Sequence, residues 1–263
     1  MPRHARLAVA VLAGLLALPP LAGCGPTALP NREERLPHGY LYYLDGAGGG
    51  SALVNWCPGV RDGLLAAGYA GACEMFEWQT GLGAIADQDA DATYKRSKAA
   101  DLAARIGQYR KDFPAAPVSL IGLSAGTAVA VFTLEALPED RPADTAVLLG
   151  ASIGADYDLT EALRRIRNKL YVFTSDRDTV LGFLLPITGT ADRQFGRAAA
   201  GVKGFILPPN ASEETRRLYA DRLVTIAWTK DFERDGNYGQ HLDNVNKDFI
   251  RQHVAPLVMQ AAR

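Results

Sequence analysis

The sequence predicts an α/β fold: a doubly wound, mainly parallel sheet with helices on both faces. Three observations predict it. Short β-prone runs alternate with segments of helical spacing from Tyr40 to the C-terminus, as strand–helix–strand units require. Two of the runs, Val118–Ile121 and Ala146–Leu149, are almost wholly apolar, as befits strands covered on both sides. The length, 263 residues, leaves about 240 once an N-terminal export segment is set aside, enough for one continuous core.

Residues 1–23 read as that export segment, with Arg3 and Arg6 ahead of an apolar stretch from Leu7 to Leu18. About 12 residues are too few to span a bilayer, which needs roughly 18 to 20. The following Leu21-Ala22-Gly23-Cys24 resembles the lipobox of bacterial lipoproteins. The resemblance implies cleavage before Cys24, lipidation of Cys24 with palmitate-like acyl chains, and a mature protein anchored to a membrane of the bacterial cell envelope, on its periplasmic or extracellular face. Residues 24–37, with three prolines between Gly25 and Pro37 and the charged group Arg32-Glu33-Glu34-Arg35, are expected to be a tether. The folded domain is then residues 38–263.

Within it, Tyr40–Leu44 is a β-prone run ending at a glycine cluster, Leu64–Gly68 belongs to a short helix, and Gly71–Phe76 suits a second strand. Leu102, Ile106, Tyr109 and Phe113 recur at helical spacing ahead of a strand over Pro117–Ile121. A helix over Ala125–Leu137 and a strand over Ala146–Leu149 follow. Asp158-x-x-Glu161 is expected to cap a helix bearing Leu159, Leu163 and Ile166. Leu170–Thr174 and Leu223–Trp228 are the last strands, Ser212–Arg222 a helix between them, and Asn244–Ala261 a closing helix. Leu181–Pro209 is the least readable stretch, with Gly204–Leu207 a candidate added strand.

Composition narrows the functional classes. Lys and Arg number 28 against 29 Asp and Glu, a balance that gives no reason to expect a nucleic-acid partner. Asp87-Gln88-Asp89-Ala90-Asp91 invites a calcium reading, but Ala92 stands where such a loop needs glycine and Lys98 where it needs a bidentate glutamate. A solvated acidic loop capping the helix from Thr93 fits better, and no metal is expected. The run Asp45-Gly46-Ala47-Gly48-Gly49-Gly50-Ser51 lacks the lysine of a phosphate-binding loop and the last glycine of a dinucleotide fingerprint, so no cofactor is expected. Cys57 and Cys73 are either bridged or separately buried.

The chemistry is carried by Gly122-Leu123-Ser124-Ala125-Gly126, a serine between glycines on a strand-to-helix turn. In a doubly wound sheet the loops leaving the carboxyl ends of the strands share one edge, where ligands bind. Ser124, Asp176, Asp178 and His241 all fall on that edge. Of the four histidines, His4 leaves with the export segment, His38 precedes its strand and His253 lies in the closing helix, which selects His241 as base.

The order Ser, Asp, His on this topology resembles that of the α/β-hydrolases, over Tyr40 to the C-terminus. The resemblance implies that Ser124 attacks an acyl carbonyl, His241 shuttles the proton and an aspartate orients the imidazole. Asp178, in Asp178-Thr179-Val180, matches the family's Asp-x-Val turn and is preferred to Asp176. The amides of Ala47 and Ala125 fall where the family forms its oxyanion hole, although Asp45 stands where many relatives have histidine. Trp78, Leu82, Phe183 and Leu184 are candidates for the substrate pocket.

The expected activity is hydrolysis of a small-molecule carboxylic ester, thioester or related acyl bond. An acyltransferase or peptidase on the same residues, or a non-catalytic surface lipoprotein using the fold for binding, are the alternatives. The sequence leaves the oligomeric state open.

Overall fold

A computed structural model describes residues 28–50, 54–184 and 189–260, with the backbone alone at 183 and 184. The export segment and Cys24 lie outside the described residues. Six strands form one sheet in the order β2-β1-β3-β4-β5-β6, every neighbouring pair parallel. They are β1 (Tyr40–Leu44), β2 (Ala72–Met75), β3 (Val118–Leu123), β4 (Ala143–Leu149), β5 (Ile166–Thr174) and β6 (Leu223–Ala227). The fold class is therefore the one expected.

Alternation along each strand sorts side chains onto two faces. Tyr40, Tyr42, Leu44, Leu120, Leu148 and Val172 enter one core cluster, whereas Leu41, Tyr43, Leu123, Val147 and Phe173 enter the other. The first face is covered by the helices Ala92–Asp112 and Gly126–Ala136, through Leu102, Ile106, Val129 and Phe132. The second is covered by the helix Cys57–Ala66 and the C-terminal helical segment, through Val60, Leu64, Phe249, Ile250 and Val254. Truncating a fully enclosed residue such as Leu120 to alanine in packing of this kind costs about 2–5 kcal/mol.

Several expectations are corrected. The tether expected up to Pro37 is not free from Ala28 onward: Ala28 bridges Glu74, Leu29 is buried, and Arg35 donates to the Tyr69 carbonyl at 2.7 Å. One buried leucine and a guanidinium on backbone carbonyls suffice to dock a segment whose composition reads as unstructured. Ile166 opens β5 instead of closing a helix, because the helix Thr160–Arg164 is a single short turn and a half. Asp158 caps locally, accepting from Thr160 N and Oγ1, while Glu161 pairs with Arg164.

Gly204–Leu207 forms no strand; it meets the preceding loop through one backbone bond, Ile206 N–H to the Ala155 carbonyl. The closing helix starts later than expected, at Lys247, and widens to a π-helical turn over Ile250–Val254 before Ala255–Met259. Pro256, lacking an N–H and crowding the carbonyl four residues back, accounts for the widening. Cys57 and Cys73 are separate buried thiols. Among the described residues no helix is long and apolar enough to cross a membrane.

The strand order places the topological switch between β1 and β3, the two strands whose following connections leave in opposite directions. The glycine-rich loop after β1 and the serine turn after β3 both emerge there.

Candidate active site

Ser124 follows β3 with φ of 51°, a left-handed backbone that a non-glycine residue adopts only when the surroundings impose it. Its N–H donates to the Leu149 carbonyl at 3.0 Å, and its own carbonyl accepts from Thr127 N at 3.0 Å and Thr127 Oγ1 at 2.5 Å. The flanking glycines are sterically required. A Cβ on Gly122 would lie 2.9 Å from the Thr127 α-carbon, and one on Gly126 would collide with the carbonyl oxygens of Leu44 and Asp45. The turn is thus locked between β1, β4 and the helix it opens.

His241 and Asp178 meet although 63 positions apart in sequence: Nδ1 lies 2.7 Å from Asp178 Oδ2. Both are buried, at 7% and 2% exposure, so this bond is shielded from competing water. The other carboxylate oxygen accepts from Leu181 N at 3.0 Å, which fixes the acid's plane. With a carboxylate opposite Nδ1, that nitrogen carries the hydrogen and Nε2 keeps its lone pair. Nε2 is buried and has no hydrogen-bond partner among the described residues. Asp176 is exposed, and the carboxylate bonded to the imidazole is that of Asp178.

The imidazole lies over Gly150, whose hypothetical Cβ would sit 3.1 Å from both Cε1 and Nδ1. Gly150 directly follows Leu149, the residue that receives the Ser124 N–H, so serine and histidine converge on the end of β4. The histidine loop is held by side chains the sequence does not advertise. Ser175 Oγ donates to the Gly239 carbonyl at 2.7 Å, Asn244 Nδ2 to the His241 carbonyl at 3.0 Å, and Trp228 Nε1 to the Asn237 carbonyl at 3.0 Å. Gly150 stands out in hindsight as a glycine immediately after a buried strand; Ser175 and Asn244 carry no such signal.

The loop after β1 spends nearly all of its amides. Gly46 N donates to Asp45 Oδ1 at 2.8 Å, Gly48 N to Asp87 Oδ2 at 2.7 Å, and Gly49 N to the Gly46 carbonyl at 3.0 Å. The amides of Ala47 and Ala125 have no acceptor among the described residues. Asp87 is correspondingly not a solvated loop residue: it is 1% exposed and also accepts from Thr80 N and Oγ1. Asp91, in contrast, caps the long helix as expected of its cluster, accepting from Tyr94 N at 2.7 Å.

The pocket residues fare differently. Trp78 is fully enclosed, with Nε1 donating to the Asp45 carbonyl at 2.8 Å, so it buttresses the loop after β1 and lines no open pocket. Leu82 is 83% exposed and walls no enclosed pocket either. The side chains of Phe183 and Leu184 lie outside the described residues. His253, the rejected base, pairs with Asp235 at 2.8 Å between the rings of Phe232 and Phe249, tying the C-terminal segment to the turn Lys230–Asp235.

No protein-family model matches the chain, and no curated protein matches its sequence. Among solved structures there are distant likenesses. A cutinase-like protein from Cryptococcus sp. has 14% identity and a TM-score of 0.47, covering 86% of this chain and 95% of that one. A poly(3-hydroxybutyrate) depolymerase from Bordetella parapertussis has 14% identity and a TM-score of 0.48, covering 98% and 93%. A thioesterase of prodiginine biosynthesis from Streptomyces coelicolor has 14% identity and a TM-score of 0.40, covering 96% and 94%. These likenesses concern the path of the chain and say nothing of its substrate.

Proposed function

We propose that this chain is a serine hydrolase that cleaves a carboxylic ester, thioester or related acyl bond through a covalent intermediate on Ser124. The observation that carries the reading is the buried Asp178–His241 pair, with its unpartnered Nε2, on the same sheet edge as a serine held at positive φ.

In the first step the Ser124 Oγ–H proton passes to His241 Nε2 while Oγ bonds to the acyl carbon, and the carbonyl π electrons move to its oxygen. The amides of Ala47 and Ala125 receive that oxyanion. Losing one such donor typically costs about 3 kcal/mol of transition-state stabilisation. The Asp178 carboxylate stabilises the imidazolium, which then returns the proton to the leaving oxygen or sulfur as the acyl–leaving-group bond breaks. Water repeats the sequence, with His241 as base, to free the acid and restore Ser124. In ligand-free sites the serine–histidine hydrogen bond is often unformed and tightens on substrate binding, which fits the free Nε2.

We also place the protein at the cell envelope as a lipoprotein held through Cys24, on the strength of Leu21-Ala22-Gly23-Cys24 behind an apolar export segment. A chromogenic ester panel of increasing acyl length tests the activity. Turnover by the wild type, lost by at least a thousandfold in Ser124→Ala, is expected; equal rates for the two would overturn the assignment.

A further inference from the structure

We propose that Asp45 is a positioning residue whose carboxylate holds the loop after β1 in the shape that leaves the Ala47 amide uncommitted beside the nucleophile. The proposal rests on the serine-hydrolase reading above and concerns what sets its oxyanion hole.

Asp45 directly follows β1 at the topological switch and is fully enclosed. Its Oδ1 accepts from Tyr43 Oη at 2.8 Å and Gly46 N at 2.8 Å, its Oδ2 from Trp56 N at 3.1 Å, and the Gly50 amide also donates to it. Both ends of the glycine loop and the start of the helix Cys57–Ala66 are thereby gathered onto one side chain. Gly49 is a glycine for the same reason, since a Cβ there would lie 2.5 Å from the Asp45 carboxylate. From the other side Asp87 takes Gly48 N, and the loop's own Gly46 carbonyl takes Gly49 N. Ala47 is left over.

The loop so shaped touches the serine turn twice. A Cβ on Gly46 would stand 3.3 Å from Ser124 Cβ, and Gly126 packs directly against the Leu44 and Asp45 carbonyls. A shift in the loop is therefore felt at the nucleophile.

Every group bonded to Asp45 is a donor, so the ionised form suits the site and a protonated carboxyl would have to aim its O–H at an N–H or at Tyr43. Burial nonetheless pushes the carboxyl up to about 6, opposed by the hydrogen bonds from Tyr43, Trp56, Gly46 and Gly50. Of the titratable groups around it, Tyr43 lies on its own strand and Cys57 on the packed helix, where Arg61 and Asp62 also act on that thiol. Asp87 stands behind Gly48. Protonation of Asp45 then lowers the rate on the acid side of the profile.

The test compares wild type with Asp45→Asn, which keeps the size but presents an amide NH2 to the Trp56 N–H. Turnover of an ester should fall about 100- to 1,000-fold with KM within threefold, as for loss of one oxyanion donor. The acid limb of log(kcat/KM) should be steeper in the wild type than in the variant, which has no carboxyl at position 45 to protonate. Independently of activity, the ratio of unfolding constants, wild type over variant, should grow about a hundredfold from pH 4 to pH 7.5, because only the wild type must ionise a buried carboxyl. Tyr43→Phe provides the second variant: losing one donor to the carboxylate should move the acid limb to higher pH. Equal slopes, an unshifted limb in Tyr43→Phe, or a pH-independent ratio would overturn the role of Asp45 while Ser124 still turns over ester. Wild type and Ser124→Ala equally inert would instead overturn the hydrolase reading, and the oxyanion role with it.

Discussion

Replacing Asp178 with asparagine isolates the contribution of one buried carboxylate. The substitution preserves size and the Oδ1 acceptor for Leu181 N, and it removes the negative charge 2.7 Å from His241 Nδ1. Asparagine offers that nitrogen an NH2, which favours the tautomer with hydrogen on Nε2, so the atom that should take the serine proton is already occupied. The imidazolium of the transition state also loses its counter-ion at a site where both partners are buried. Charge-assisted hydrogen bonds contribute about 1.5–3 kcal/mol even when only net stability is counted. Wrong tautomer and lost counter-ion together lower kcat about ten-thousandfold in Ser-His-Asp triads, or roughly 5 kcal/mol. The assay is steady-state turnover of a short chromogenic ester by Asp178→Asn and, in parallel, by Asp176→Asn, with circular dichroism to establish folding. Asp176 is exposed and should tolerate the change within about twofold. Loss of less than tenfold in folded Asp178→Asn, or comparable losses in both variants, would refute the reasoning.

Further outcomes follow from the same geometry. Gly150→Ala sets a Cβ 3.1 Å from the imidazole on a backbone of φ 52°, and should lower kcat about 10- to 100-fold with a stability loss of about 1–2 kcal/mol, read by turnover and urea denaturation. Lys95 is fully enclosed, its ammonium bonded to the carbonyls of Gln88, Ala90 and Ala191 at 2.9–3.0 Å, so Lys95→Met should cost about 3–5 kcal/mol by orphaning two buried acceptors and one half-buried one. Urea titration measures that cost, and cleavage sites under brief proteolysis should move to the loop around Ala191. Below pH 6 the buried Asp45 carboxyl takes up a proton in the fold that the unfolded chain takes up only near its ordinary range. Its contribution therefore favours folding most in acid and is lost as pH rises through about 6; thermal melts of wild type against Asp45→Asn from pH 4 to 8 should show the two curves diverging in that window.

The centre of the sheet is readable because β3 and the second half of β4 are nearly pure hydrophobic runs: Leu120 and Leu148 belong to elements covered on both faces. The serine turn is readable because Gly122 and Gly126 are forced by close backbone packing, which leaves a local signature. His241 and Asp178 were reachable by topology, since strand ends share an edge. What escaped was set by tertiary contacts. Asp87 reads as one member of an acidic surface cluster, yet its carboxylate is enclosed because Thr80 and Gly48 supply three donors from elsewhere in the chain. Trp78 reads as a pocket wall because aromatic residues after strands often are, but its indole N–H found the Asp45 carbonyl 33 residues away. Ala28–His38 looks too polar to fold by itself and does not do so alone; it borrows β2 through Glu74 and the carbonyls of Tyr69 and Gly71.

The most direct measurement is the site and stoichiometry of phosphonylation. Treatment with a fluorophosphonate, followed by peptide mass spectrometry, should place a single adduct on Ser124, with none in Ser124→Ala and strongly slowed labelling in His241→Ala. An adduct on another residue, or wild type that stays unmodified while fully folded, would contradict the account.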